Sequence, residues 1–320
     1  MIHISVLIFL VSAFLIAVSG KWVVASLMRV SRYLGWKEFV VAFFVMAVAA
    51  SLPNLFLGIT SAVQEIPQLS FGDIAGNNLV ALTLAVGLAV LFAKGREIPL
   101  ESRTVRNTAI FTIIAAVLPL ILTLDKNLSR VDGILLIGFF ILYIAWLFSK
   151  QERFTKVYDG KENLGVGGFK IFLGDLGRII AGIIILLIAA QGIVVSSQHF
   201  AQTLGISIIL VGILITGLGN ALPEIYFAVA SAKRGETWMI LGDLMGAVIV
   251  PATLVLGIVA LIHPIYIPDF EPFAIARIFL IISALSFLFF VRTSQKITFK
   301  EGLFLFGVYL AFILVEIFAK

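Results

Sequence analysis

The chain has no cysteine and only three histidines among its 320 residues, and charged side chains make up 13% of it. Without thiols there is no disulfide framework, no thiolate metal site and no cysteine nucleophile. His3, His199 and His263 have no ligand spacing between them, so an imidazole metal centre is not expected. A soluble domain carries about 25% charged residues, and a chain this poor in them is not one. Also missing are a Gly-rich phosphate loop, a Ser-His-Asp constellation and an adjacent pair of carboxylates. The 28 phenylalanines sit in apolar runs without interleaved basic residues, which removes the usual stacking surface for nucleic acid.

What is present is length and apolarity. Hydrophobic residues make up 61% of the chain, and ten spans of about 20 residues with short connections would use all of it. The first apolar stretch, Ile2 to Ser19, has no basic residue before it and no small-residue cleavage site, and reads as a span rather than a removed leader. Further runs lie at 39–64, 70–93, 107–124, 133–149, 171–197, 205–232, 238–262, 272–291 and 302–319. The interval between Arg178 and Glu224 is uncharged and requires a turn, expected near Ser196, Ser197, Gln198 and His199. The expected fold is therefore an all-α polytopic membrane protein with ten transmembrane helices and the lipid bilayer as its solvent.

Connections between spans alternate sides, and cytoplasmic ones are enriched in Lys and Arg. Nineteen of the 23 basic residues fall on one side by this count, and only Lys126, Arg130, Arg277 and Lys320 fall on the other. That bias places both termini outside.

The glycine-bearing stretch 151–169 is the longest polar connection and separates a first half, 1–150, from a second, 170–320. Shifting the numbering by 170 carries Ser51-Leu52-Pro53-Asn54 onto Ala221-Leu222-Pro223-Glu224 and Ser61-Ala62 onto Ser231-Ala232. The same shift carries Gly72-Asp73 onto Gly242-Asp243, Gly76 onto Gly246 and Gly87 onto Gly257. One offset that aligns rare Pro and Asp residues marks an internal repeat. Five spans separate equivalent positions, and an odd number turns the second copy upside down. Inverted repeats are typical of secondary transporters, whose site forms near the bilayer midplane from interrupted helices. Pro53 and Pro223 lack an N–H and clash with the preceding turn, so spans two and seven are expected to break there.

The paired Leu-Pro-(Asn/Glu) and Gly-Asp-x-x-Gly segments resemble the two α-repeats of the cation/calcium exchanger superfamily, which includes sodium/calcium exchangers. The resemblance implies a secondary cation antiporter working by alternating access in a prokaryotic plasma membrane, with no cofactor. It implies a cation site between spans two, three, seven and eight, to which the carbonyls of Ala47, Ala50, Gly217 and Asn220 would contribute. This chain departs from the family pattern at several places. Asn54 replaces one of two signature glutamates, Asp73 and Asp243 stand where Asn is usual, and Ala81 and Pro251 replace an Asn or Asp in each repeat.

The residues themselves single out three acids. A mid-membrane Asp costs about 2.5–3.5 kcal/mol, so Asp73, Glu224 and Asp243 each need a compensating environment. Glu224 follows a proline in mid-span and is the first candidate ligand. Asp73 and Asp243 are related by the repeat and are either ligands or helix caps. Ser51, Asn54, Asn77, Asn78 and Asn220 add neutral oxygens, with helix–helix bonding as their simpler role. Gly72, Gly76, Gly242 and Gly246 read as close-packing faces. One central carboxylate suits a monovalent ion or a proton better than Ca²⁺, unless the aspartates turn inward. A non-transporting scaffold and a Mg-dependent lipid enzyme in the membrane are the rival readings. The sequence leaves the ions, Ca²⁺, Na⁺ or protons, and the oligomeric state open.

Overall fold

The computed structural model describes residues 2–33, 51–100, 103–149, 167–235, 237–267, 271–293 and 296–318. They form ten helices: α1 (Ile2–Tyr33), α2 (Leu52–Val63), α3 (Gln68–Phe92), α4 (Arg103–Leu122), α5 (Arg130–Phe148), α6 (Gly167–Leu204), α7 (Ile208–Arg234), α8 (237–262), α9 (Glu271–Thr293) and α10 (Phe299–Phe318). Nine are long and apolar enough to cross a bilayer; the described part of α2 is the shorter exception. The protein is an all-α polytopic membrane protein. Most of the expected connection at 151–169 lies outside the described residues.

The repeat is visible in the backbone. A π-helical turn at Ala81–Ala85 in α3 recurs at Pro251–Val255 in α8, offset by the same 170 residues. In each turn a buried threonine, Thr83 or Thr253, donates its hydroxyl to the carbonyl one turn back, that of Leu79 or Ile249. Such bonds satisfy a hydroxyl that apolar surroundings would otherwise strand. Among the described residues the short strands β1 (Glu97–Pro99), β2 (Asn127–Leu128), β3 (Ile265–Tyr266) and β4 (Lys296–Thr298) pair across the repeats, β1 with β4 and β2 with β3, both antiparallel.

The equivalent helices α1 and α6 lie side by side and run antiparallel. Arg29 bonds Asp175, Gly182 faces Ser19 and Val23, and Gly192 faces Ser12. The pair meets along small residues. Ser5, Ser12, Ser19 and Ser26 recur every seventh position on α1 and are all buried, the spacing of a close helix seam. Arg29 and Arg178 close one end of the pair by holding Asp175 at 2.7 and 2.9 Å.

The core sits on α3 and α8. In α3 and α8, 83% and 67% of the most apolar window is buried, against 28% in α1 and α5. Glycines let α3 approach α7 at backbone distance. A Cβ on Gly72 would fall 2.2 Å from the Ile209 carbonyl oxygen, and one on Gly76 would fall 2.3 Å from that of Ile213. The packing role expected for Gly72 and Gly76 is thus borne out, whereas among the described residues a Cβ on Gly242 or Gly246 would meet nothing within 4 Å, and no close approach is shown there.

Two expectations are corrected. The turn after span six lies at Gly205, in the left-handed region at φ +64, and α6 continues through Ser196 and His199 to Leu204. Glycine supplies the conformation that ends the helix, whereas Ser196 donates back to the Gly192 carbonyl at 2.8 Å and stays helical. Helix α7 is likewise not broken at Pro223, which lies inside a continuous helix. The irregular turn is instead π-helical, at Gly212–Thr216. Pro53 lies in the first turn of the described part of α2, and the break expected there falls at the edge of the described residues.

Candidate ion site

The candidates converge from four helices. Asn220 of α7 is central. Its amide nitrogen donates to Asp73 Oδ1 of α3 at 2.8 Å and to Asn54 Oδ1 of α2 at 3.0 Å. Asp73 is fully buried and Asn54 is 4% exposed, so this one amide ties two helices to a third in a setting where each bond counts for more than in water. Thr216, one turn before Asn220, flanks the same Asp73 carboxylate and passes a hydrogen bond to the Gly212 carbonyl at 2.9 Å. The sequence reading missed it, because the repeat-equivalent residue is Met46 and no pattern marks the position.

Asp73 and Asp243 are not caps. Neither falls in the first turn of its helix, so neither carboxylate is needed by the orphan N–H groups of a helix start. Asn77 donates to the carbonyl of its own repeat partner, Ala247, at 3.2 Å, which places both near the axis relating the halves. Gly217 packs against the Asp73 carbonyl and the Asn77 N–H. Ser51 is buried at the head of α2. Ala47 and Ala50 lie outside the described residues.

A cavity of about 370 Å³ opens beside these groups. Asn54, Asn220, Glu224 and Asp243 line it together with Pro53, Gly219, Pro223 and Phe227. Its far wall is α1, from Ala13 to Ala25, including Lys21. Pro223 cannot donate to the carbonyl four residues back, that of Gly219, which leaves this oxygen available beside the cavity. Among the described residues several buried oxygens lack a hydrogen-bond partner: Asp73 Oδ2, Glu224 Oε2, Asn77 Oδ1 and Asn78 Oδ1. Leaving such a group unpaired costs about 1–3 kcal/mol, more when charged. Two unpaired carboxylate oxygens, one on a cavity wall and one within an amide bond's reach of it, are oxygens of the kind a hard cation prefers.

A repeated bundle of membrane-spanning helices, with carboxylates and amides meeting beside a cavity, is the arrangement of a membrane transporter. Comparison with known proteins gives the family. The profile described as "Sodium/calcium exchanger protein" matches residues 4–149 and 175–318, and the chain belongs to that family, one of transporters and not of enzymes. It is similar to the sodium/calcium exchanger MaX1 of Methanosarcina acetivorans, at 24% identity over 98% of this chain and 99% of that one. It is also similar to the inner membrane protein YrbG of Escherichia coli, at 26% identity over 88% and 86% of the two chains. Among solved structures, the sodium-calcium exchanger NCX_Mj soaked with Na⁺ and Sr²⁺ covers 98% of this chain with a TM-score of 0.64 and 24% identity. The protein is a sodium/calcium exchanger-like cation transporter.

Proposed function

We propose that this chain is a secondary active cation antiporter working by alternating access, with Glu224, Asn54, Asp73, Asp243 and Asn220 forming the ion site. The observation that carries the reading is the cavity whose wall presents Glu224 with an oxygen that has no hydrogen-bond partner among the described residues. Asn77, Ser51 and Gly217 shape the surroundings, and Ala47 and Ala50 stay candidates from the family resemblance. With Asn54 in place of a second glutamate, Glu224 is the central charge. A cation and a proton compete for its oxygens, so the exchanged pair is two cations or a cation and a proton. Substrate Na⁺ and Ca²⁺ are the first ions to test, because the similar exchangers carry those names.

The cavity lies against α1 from Ala13 to Ala25 and the middle of α7. Both run toward the basic connections, so with the termini outside the cavity faces the cytoplasm. The protein then stands in its inward-open state. Flux in proteoliposomes, with Na⁺, Ca²⁺ and proton gradients imposed in turn, tests the function. Counter-ion-dependent uptake is the expected result. Absence of uptake under every gradient would leave a non-transporting scaffold.

A further inference from the structure

The two repeats make the same approach between helices, but in this structure only one of them has closed. Helix α6 packs along α2, while α1 barely touches α7. Where α6 meets α2, the Gln64 amide donates to the Gln191 side-chain oxygen. The 170-residue offset carries Gln64 to Arg234 and Gln191 to Lys21. The side that is bridged by an amide pair when closed therefore has two cations at the matching positions on the side that is open.

Among the described residues neither cation is held in an ion pair, although Glu224 and Asp243 line the same cavity as Lys21. Lys21 is exposed and lies on the cavity wall. Arg234 is exposed at the C-terminal end of α7, where its guanidinium reaches only the Ala230 carbonyl at 3.4 Å. The neighbouring Lys233 is engaged over the Phe92 ring at 4.6 Å, which leaves the facing pair as Lys21 and Arg234. Bringing α1 onto α7, as α6 now lies on α2, moves these like charges together and separates Gln64 from Gln191. Like charges in proximity disfavour the state that joins them.

We propose that Lys21 and Arg234 are positioning residues of a repulsive gate, which holds the resting transporter open on the Lys21 side while the Gln64–Gln191 pair holds the other side shut. The inference rests on the alternating-access reading. Cation binding at Glu224 then has a defined task, to draw α1 and α7 together against that repulsion.

The test uses an Ala17→Cys reporter on the cavity wall, in purified protein, and measures its rate of reaction with an impermeant maleimide. With both charges replaced, Lys21→Gln and Arg234→Gln, the closed population rises and the rate should fall about tenfold, the scale of a modest population shift. Raising choline chloride should slow labelling in the parent, because salt screens the repulsion between exposed charges, and should leave the double variant unchanged. Adding Gln64→Arg and Gln191→Lys, which exchanges the two pairs, should lower the rate further. An unchanged rate in the double variant, or a salt response that survives it, would overturn the gate. Both replaced side chains are exposed, so loss of fold is not expected, and a monodisperse elution profile verifies it. If the gate responds but parent liposomes show no flux, the transport reading fails and the gate stands. Normal flux with an indifferent gate is the reverse case.

Discussion

Asp73 and Asp243 occupy equivalent places in two copies of one structural unit, yet their surroundings differ. Asp73 is fully buried and bonded by Asn220; Asp243 lines a cavity. The cause lies in the helix that covers each. Over Asp73, Leu57, Leu186 and Val194 form part of a tight apolar cluster between α2 and α6. Two of their repeat equivalents, Phe227 and Val24, instead line the open space between α7 and α1, while the third, Ile16, borders that space but stays buried in the same cluster as Leu57. The residues are of like kind on both sides. One sequence pattern, used twice, thus holds two conformations of the same contact at once, and exchanging them is the step that the proposed alternating access requires. The polar residues differ more than the apolar ones: Asn220 has Ala50 as its counterpart and Glu224 has Asn54. The inner site is asymmetric in chemistry while its covers are nearly symmetric in shape.

The strongest way to break this comparison is Glu224→Gln. If Glu224 is the charge that both states share, its loss should cut cation uptake by at least about 100-fold, since a hard cation depends on anionic oxygens. In the parent, lowering the pH should slow uptake, because protonation removes the cation's carboxylate; the sign follows from competition alone. Uptake that survives Glu224→Gln and ignores pH would remove Glu224 from the centre of the mechanism. Liposome flux of parent and variant over a pH series decides it.

A smaller effect comes from making the halves alike. Asn54→Glu gives the first repeat the carboxylate that the second already has. Its oxygen can still accept from Asn220, which now donates to Asn54 Oδ1, so the local bond survives. Ca²⁺ binding should tighten about tenfold, or ~1.4 kcal/mol, because a divalent ion gains a second anionic ligand. Calorimetric titration with Ca²⁺ reads this directly. A folded variant with unchanged affinity would place residue 54 outside the ion's reach.

Much of the fold was legible in the sequence because it rests on signals that a bilayer enforces. Runs of apolar residues gave the spans, and a single offset through Pro53, Asp73, Pro223 and Asp243 gave the repeat. The offset also positions features that no residue type announces, such as the π turns at Ala81–Ala85 and Pro251–Val255. Elsewhere local rules misled. Proline was read as a break at 223, but a helix packed on both sides tolerates a missing hydrogen bond when a carbonyl can face a polar cavity. Serines and a histidine were read as a turn near 196–199, although serine hydroxyls bond back to the helix when packing holds it. Of the site, Glu224, Asp73 and Asn220 were legible as polar residues in apolar runs. The choice between cap and interior for Asp73 and Asp243 was not legible, because it depends on where each helix starts. Which cover is shut was beyond reach as well, since near-identical covers encode both states.

The smallest expected effect tests whether the asymmetry is confined to the covers. Far from the cavity, the two repeats begin α5 and α10 with matching caps. Ser129 and Asp132 form a reciprocal capping box, with the Ser129 N–H donating to Asp132 Oδ2 at 2.8 Å. Thr298 and Glu301 repeat it, the Thr298 N–H donating to Glu301 Oε2 at 2.7 Å. The strands leading into these helices are paired in both repeats, so the two caps sit in equally closed surroundings. Ser129→Ala and Thr298→Ala should each cost about 1 kcal/mol of stability, the usual value of an N-cap, in equal measure, and thermal unfolding in detergent measures it. Neither should alter flux or the labelling of a cavity cysteine, because the proposed alternating access moves α1 and α6 and leaves α5 and α10 in place. A change in labelling from one cap and not the other would show that the difference between the halves extends through the whole bundle, and the exchange of states would then involve more than its two covers.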